Sequence, residues 1–251
     1  MIAKQQRTGE HDSAPRHFKS YPAYKDSGVE WLGEIPAHWE VKRLKYISTL
    51  NNETLPEITD PEFGMLYVDI SSVDSIYGIT VKEPLVFASA PSRARRLVRD
   101  GDVIISTVRT YLRAIAIIRQ AEPNLVVSTG FAVVRPKFGF FSRFACYALR
   151  SPYFVEKVVA HSVGVSYPAI NESQLASLPL ALPPLSEQQA IANFLDRETA
   201  KIDALVAKIR EGIGLLKEYR TALISAAVTG KIDVRSNGES KHLQDQSVWR
   251  A

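Results

Sequence analysis

The stretch Leu178–Ile209, LPLALPPLSEQQAIANFLDRETAKIDALVAKI, decides how the chain is organised. Pro179, Pro183 and Pro184 hold its first part extended, because a proline ring fixes φ and keeps the preceding residue out of the helical region. Ser186 then offers an N-cap, and Gln189 falls three residues later as a capping box requires, so the sequence predicts a long helix from here. Through Val228 the apolar residues keep a seven-residue repeat. Leu195, Ile202, Ile209, Leu216 and Leu223 occupy one core position, and Ile191, Leu205, Tyr219 and Ala226 fill most of the other. That stripe is the seam of a coiled coil and expects a partner helix. At ~1.5 Å per residue, roughly 40 residues make a rod of ~60 Å. Glu198 and Gly212 interrupt the second core position. Gly212 and Gly214 each cost a helix about 1 kcal/mol relative to Ala, so something is expected to approach the backbone closely there.

The sequence before the prolines reads differently. From Met65 to Val134 the apolar residues come in short runs rich in Val and Ile, separated by turn signals such as Asp100-Gly101 and Pro123-Asn124, which is a strand pattern. The predicted strands are 65–70, 78–87, 102–108, 113–119 and 126–136. Residues 140–162 return to helical spacing, with Pro152 starting a second helix or kinking the first. Tyr21–Ile47 is expected to be an ordered but irregular lead-in that buries Trp31 and Trp39 around the turn-forming Gly33 and Pro36. The resulting division is a flexible leader (1–20), a domain (21–184), a long helix (185–230) and a polar tail (231–251) expected to be mostly disordered. The fold class is α+β, a mixed strand-rich domain followed by one long C-terminal helix.

Composition excludes several functions. The 251 residues are 45% hydrophobic and 23% charged, as in an ordinary globular protein. No apolar run approaches the ~20 residues that span a bilayer, and the start lacks the apolar core of a signal peptide, so a cytoplasmic location is expected. The single cysteine, Cys146, lies in the apolar stretch FACYAL and reads as a small core residue. The histidines His11, His17, His38, His161 and His242 show no metal-ligand spacing, so no metal site is expected. A phosphate loop, a dinucleotide-binding glycine turn, a nucleophile elbow and an H-E-x-x-H pair are all missing. So is the Asn/Asp-Pro-Pro-aromatic motif that amino-methyltransferases use, since Pro183-Pro184 follows Leu182. The paired carboxylates, Asp100/Asp102 and Glu57/Asp60/Glu62, sit in turn-like contexts and read as solvated turn residues. The chain reads as a binder without catalysis or a cofactor of its own.

Charge suggests what it binds. The whole chain carries only +4, yet Arg93–Arg143 holds ten basic residues against three acidic ones, and nine of the ten are Arg. The planar guanidinium can make two hydrogen bonds to phosphate or to the O6/N7 edge of guanine. A polyanion is therefore favoured over a merely solvated basic face.

Together, GVEWLGEIPAHWEVKRL (28–44), RDGDVIISTVRTYLRAIAI (99–117), VVSTGFAVVRP (126–136), the stretch quoted first, and LKEYRTALISAAVTGKIDVR (216–235) resemble the DNA-specificity subunit of type I restriction-modification enzymes. The resemblance covers about residues 21–235 and is most specific from PPLSEQQ to AVTGKIDVR. It implies that the middle is a target-recognition domain for double-stranded DNA and that the helix is a spacer which docks modification subunits. It also implies that companion modification and restriction/translocase subunits carry the S-adenosylmethionine, ATP and Mg chemistry. Members of that family usually carry two recognition domains and two spacers in tandem, and this chain has one of each, so it looks like half a subunit. A second copy, or another half-subunit, would complete the seam through Ile191, Leu195, Ile202, Leu205, Ile209, Leu216, Tyr219 and Leu223. An antiparallel homodimer would read a bipartite inverted repeat, because two-fold symmetry forces like halves. The other readings are a non-catalytic coiled-coil adaptor that binds protein, and an inactive specificity-subunit fragment.

Candidate base readers are Arg109, Tyr111 and Arg113, which would share one face if they lie on a strand. A second set is the glycine-flexed loop with Ser162, Gly164, Ser166 and Tyr167. Candidate phosphate contacts, which set affinity and register, are Arg93, Arg95, Arg96, Lys42 and Arg43.

Overall fold

A computed structural model of the chain describes residues 19–235; most of the expected leader and most of the expected tail lie outside them. In chain order the first elements are β1 (Tyr24–Asp26), β2 (Glu34–Pro36), β3 (Glu40–Arg43), α1 (Leu44–Ile47), β4 (Ser48–Leu50), β5 (Gly64–Val68), β6 (Val73–Asp74), β7 (Gly78–Ile79) and β8 (Glu83–Val86). They continue with β9 (Ala94–Leu97), β10 (Val103–Ser106), β11 (Ile115–Ile117), β12 (Leu125–Ser128), β13 (Phe131–Pro136), α2 (Ser142–Arg150), α3 (Pro152–Ala160), α4 (Glu172–Ser177), β14 (Pro179–Leu182) and α5 (Leu185–Val228). The chain forms two compact units, one ending at Ala192 and the other starting at Asn193.

Two four-stranded sheets, ordered β11-β10-β13-β4 and β8-β5-β12-β9, build the strand-rich unit. All pairings within them are antiparallel except β5 with β12. The pleat explains how Val103–Ser106 can be buried at every position. Val103 and Ile105 pack with Ile115, Ala132 and Val134 against Phe144, Leu149 and Phe154 of α2 and α3. The intervening Ile104 faces the other sheet with Ala116, Phe131, Val133, Val68 and Val127. Both faces of the β10 sheet are thus covered, one by helices and one by the second sheet. Cys146 is buried on the helix side, and burial pushes its thiol up.

Four local expectations need correction. VVSTGFAVVRP is two strands in different sheets, with the chain crossing at Thr129-Gly130. A Cβ at Gly130 would stand 2.7 Å from Ile70 Cδ1 and 3.1 Å from Val108 Cγ2, so a larger residue there would make these side chains shift. The lead-in is partly regular, a β1–β2 hairpin followed by β3 pairing with β14, and Trp31 and Trp39 are half-buried only. The long helix starts at Leu185, so Ser186 already lies inside its first turn, and the Gln188 amide N–H donates to Pro184 O at 3.0 Å. Asp102 is 1% exposed; it is a core residue, not a solvated turn acid. Pro152 starts α3 with Ser151 as its cap, the first of its two expected roles.

The 44 residues of α5 correspond to about 66 Å of helix. Its root is fixed by Gln188, which is fully buried. The Gln188 side chain accepts from the Phe141 N–H at 2.9 Å and donates to Gly139 O and Pro183 O, each at 2.9 Å. Beside it, Glu187 accepts from the Tyr21 hydroxyl and from His38 Nε2, the latter at 2.8 Å. Burial, followed by this carboxylate, pushes the Tyr21 phenol up to about 12. No helix among the described residues is long and apolar enough to cross a membrane.

Candidate nucleic-acid interface

Ser106, the last residue of β10, lies opposite Phe131, the first of β13. The loop after β10 and the Ser128–Gly130 crossing therefore share one end of the sheet. In that loop Thr110–Leu112 is a single 3-10 turn, not a strand, so Arg109, Tyr111 and Arg113 do not share a pleated face. Instead Arg109 (φ 52, ψ 47) and Arg113 (φ 53, ψ 34) bracket the turn in the left-handed region. Such backbone costs a side-chain-bearing residue of order 1–3 kcal/mol and tends to cluster where function demands it. Only two other non-glycine residues among those described, Asn51 and Gln120, have positive φ. Arg109, Tyr111 and Arg113 are all exposed, and among the described residues no carboxylate pairs with either arginine.

The second predicted loop packs against the first. Ala169 bridges to both Val108 and Val163. The Thr110 and Ser162 hydroxyls bond to each other at 2.9 Å, and Ser162 also donates to Val158 O at 2.7 Å. Ser162 is thus committed to joining the loops, whereas Ser166 and Tyr167 face solvent. Gly164 takes φ +112, where a Cβ would meet Tyr167 O at 3.2 Å. The Arg109 guanidinium lies 5.0 Å from the Tyr167 ring centroid, a cation–π contact that presents a basic and an aromatic group together.

Beneath them is a cleft of about 450 Å³ lined by Asp69, Ser71, Arg93, Arg109, Thr129 and Tyr167 among others. Arg93 Nη2 pairs with Asp69 Oδ2 at 2.8 Å, and Nε donates to the Tyr67 hydroxyl at 3.1 Å. These two partners, Tyr67 first, raise its already high pKa. Asp69, Ser71 and Thr129 escaped sequence reasoning because each is a lone polar residue in a different segment, joined to the others only by tertiary structure.

The arginine-rich segment is therefore not one surface. Arg135 makes a bidentate pair with Asp102, both contacts at 2.8 Å, and reaches Glu53 Oε1 at 2.8 Å. Hydrogen bonding from Arg135 holds the Glu53 carboxyl below its ordinary range, and Arg99 pairs with the same group. Arg95 donates to Ala94 O at 2.9 Å and lies 4.5 Å from the Phe87 ring centroid. Arg96 is half-buried, its Nε unpaired, and burial lowers its pKa. Lys42 and Arg43 are elsewhere. They line a separate groove of about 550 Å³ with Tyr46, Ile47 and Phe138. Ser48, which follows α1, pairs with Pro136, so this groove belongs to the end of β13 away from Phe131. No group of three or more His, Cys, Asp and Glu among the described residues could hold a metal.

On α5, Ile191 packs against the core of the strand-rich unit, which removes it from the predicted seam. Leu195 is half-buried. Ile202, Leu205, Ile209, Leu216, Tyr219 and Leu223 are 45–68% exposed. Among the described residues nothing lies within 4 Å of a Cβ built on Gly212 or Gly214, so none of them supplies the close approach expected at these glycines.

A strand-rich domain with arginine and tyrosine gathered at one end is followed in the chain by a long helix whose apolar residues are exposed among the described residues. The chain belongs to the family of type I restriction modification DNA specificity domains, whose model matches residues 36–214. It is similar to the type I restriction enzyme EcoKI specificity subunit of Escherichia coli K12, at 31% identity over 111 residues, 44% of this chain and 24% of that one. It is also similar to the putative type I restriction enzyme MjaX specificity subunit of Methanocaldococcus jannaschii, at 27% identity over 82% of this chain and 46% of the relative. Among solved structures, the HsdS subunit from Thermoanaerobacter tengcongensis matches with TM-score 0.59 and 32% identity over 75% of this chain and 47% of that one. The chain thus spans about half the length of the MjaX and HsdS relatives.

Proposed function

We propose that the chain is a non-catalytic DNA-reading module of a type I restriction-modification system, and that it directs modification and restriction subunits to a bipartite target as a homodimer joined through α5. Reading uses the end of the domain where Arg109, Arg113, Tyr111 and Tyr167 converge, with Arg93 in the cleft beneath and Arg95 nearby as a phosphate contact. Methyl transfer and ATP-driven translocation with cleavage reside in companion subunits, which hold S-adenosylmethionine, ATP and Mg.

The observation that carries this reading is the pair of arginines with left-handed backbone, Arg109 and Arg113, exposed beside a tyrosine and without carboxylate partners among the described residues. A basic group kept free of ion pairs at a backbone cost fits a phosphate or base edge better than it fits its own fold. The helix supports the second half of the proposal, since an apolar stripe of this length gains by burial against a like helix.

Methylome sequencing of cells with and without the chain tests both parts. The expected result is loss of methyladenine at an inverted repeat with an unread gap when the chain is removed. An unchanged methylome overturns the function, and an asymmetric site for the chain acting alone overturns the homodimer. A protein-binding adaptor would instead show no steep loss of DNA affinity with salt.

A further inference from the structure

The loop between α3 and α4 contains two residues that neither the core nor turn chemistry requires. It is closed by paired backbone hydrogen bonds, Val163 N–H to Ala169 O at 2.8 Å and Ala169 N–H to Val163 O at 3.0 Å. Within it Val163 is 75% exposed and Val165 is 101% exposed. Tight loops favour Gly, Pro, Asn, Asp and Ser, whose backbones or short polar side chains suit turns, while a β-branched side chain is stiff and suits a strand. A valine at the apex, next to a glycine at φ +112, obeys no local rule and buries nothing within the chain. Breaches of local preference without an internal gain tend to mark functional positions.

The surroundings narrow what the valines meet. The same loop carries the Ser166 and Tyr167 hydroxyls, Tyr167 lies against Arg109, and the Thr110–Ser162 bond fixes the loop to the arginine-bearing turn. A small apolar pair is therefore set among hydrogen-bonding groups. Base edges in the major groove have this character: donors and acceptors throughout, with the thymine 5-methyl as the apolar feature. The wedges inserted from the minor groove are Phe, Leu, Ile, Met or Pro, and valine is not among them. From this we infer that Val163 and Val165 are specificity-determining residues which read the 5-methyl group of thymine in the major groove. The inference rests on the DNA-reading proposal above.

Replacing thymine by deoxyuridine removes only the methyl, which gives a direct test. Duplexes bound by the full chain are selected from random sequence, and each thymine of the preferred half-site is replaced in turn. Binding should weaken about fourfold at one or two positions, the effect expected for burial of one methyl-sized group. That sensitivity should vanish in the V163S/V165S variant, which carries no methyl group at either position and whose thermal midpoint should match the parent because both residues are exposed. A preferred half-site without thymine, equal binding of every deoxyuridine duplex, or undiminished sensitivity in the variant overturns the methyl reader and leaves DNA reading intact. Failure to select any sequence overturns both.

Discussion

Arg109 and Arg135 place one residue type in two opposite settings. Arg135 is a structural ion, bound in bidentate fashion to a carboxylate that is 1% exposed. Removing one partner of such a pair leaves the other charge buried and alone, which is far costlier than losing a surface ion pair. Arg109 lies against the Tyr167 ring and has no carboxylate partner among the described residues. Arg109→Ala should therefore leave the thermal midpoint near its parent value while relaxing preference at one base pair at a cost of about 1 to 3 kcal/mol. Arg95→Ala should weaken all sequences alike and lower the salt slope by about one. Binding curves on matched and scrambled duplexes separate these outcomes, and equal losses from Arg109→Ala would remove it from the readout set. The Glu53–Arg135 pair gives a pH dependence. Glu53 titrates below its ordinary value of 4.5 in the fold, with Arg135 as the main cause. Its contribution is present above the unfolded value and is lost as pH falls through the lower folded one. Thermal midpoints measured from pH 6 downward should accordingly fall below about pH 4.5, and part of that fall should be absent in Glu53→Gln.

Among the elements, α5 shows where sequence reading works and where it stops. The heptad pattern located the helix because periodicity is a property of adjacent residues and survives without tertiary context. Its cap was misassigned because Ser186 carries a capping signature, whereas the local fold places Pro184 at the cap and uses Gln188 to tie α5 to the Gly139–Phe141 segment. β10, β11, β12 and β13 were legible from their Val and Ile runs. β3, β4, β9 and β14 were not, since Lys, Arg, Thr or Pro interrupt them and their pairing partners are distant in sequence, as β14 is from β3. The candidate site was half legible. Arg109 and Tyr167 stood out as residue types, but their contact depends on the Val108–Ala169 bridge, and the 3-10 turn on which Arg109 sits has no alternation to betray it. Gln188→Ala would strand the Phe141 N–H and the Gly139 and Pro183 carbonyls, each worth about 1 to 3 kcal/mol if left unpaired. The thermal midpoint should drop by several degrees, while Gln189→Ala, one residue along and exposed, should change it little. Equal responses would mean that the Gln188 bonds do not stabilise the helix root.

For the whole molecule, the decisive quantity is how the exposed stripe of α5 is covered. Gly212 occupies a seam position ten residues after Ile202 and eleven before Leu223, so it lies at the middle of the exposed stripe. In an antiparallel pair of identical helices the two-fold axis passes near this midpoint, where a residue meets its own copy. A glycine at such a place lets two backbones approach closely, which gives a reason for a residue that weakens the isolated helix by about 1 kcal/mol. Gly214, two residues on, falls outside the seam, and Cβ atoms at both positions have open space among the described residues. Alanine should therefore stabilise the helix at either site but have opposite effects on assembly. Gly214→Ala should raise helix content and leave dimerisation intact, whereas Gly212→Ala should raise helix content of the dissociated chain and weaken the dimer. Ile209→Glu would place two carboxylates near the axis and should give monomers, as read by light scattering over a concentration series, without loss of the domain fold because Ile209 is already 53% exposed. If Gly212→Ala strengthened the dimer as much as Gly214→Ala, the axis would lie elsewhere. If Ile209→Glu dimerised as the parent does, the stripe would not be the surface that joins two readers.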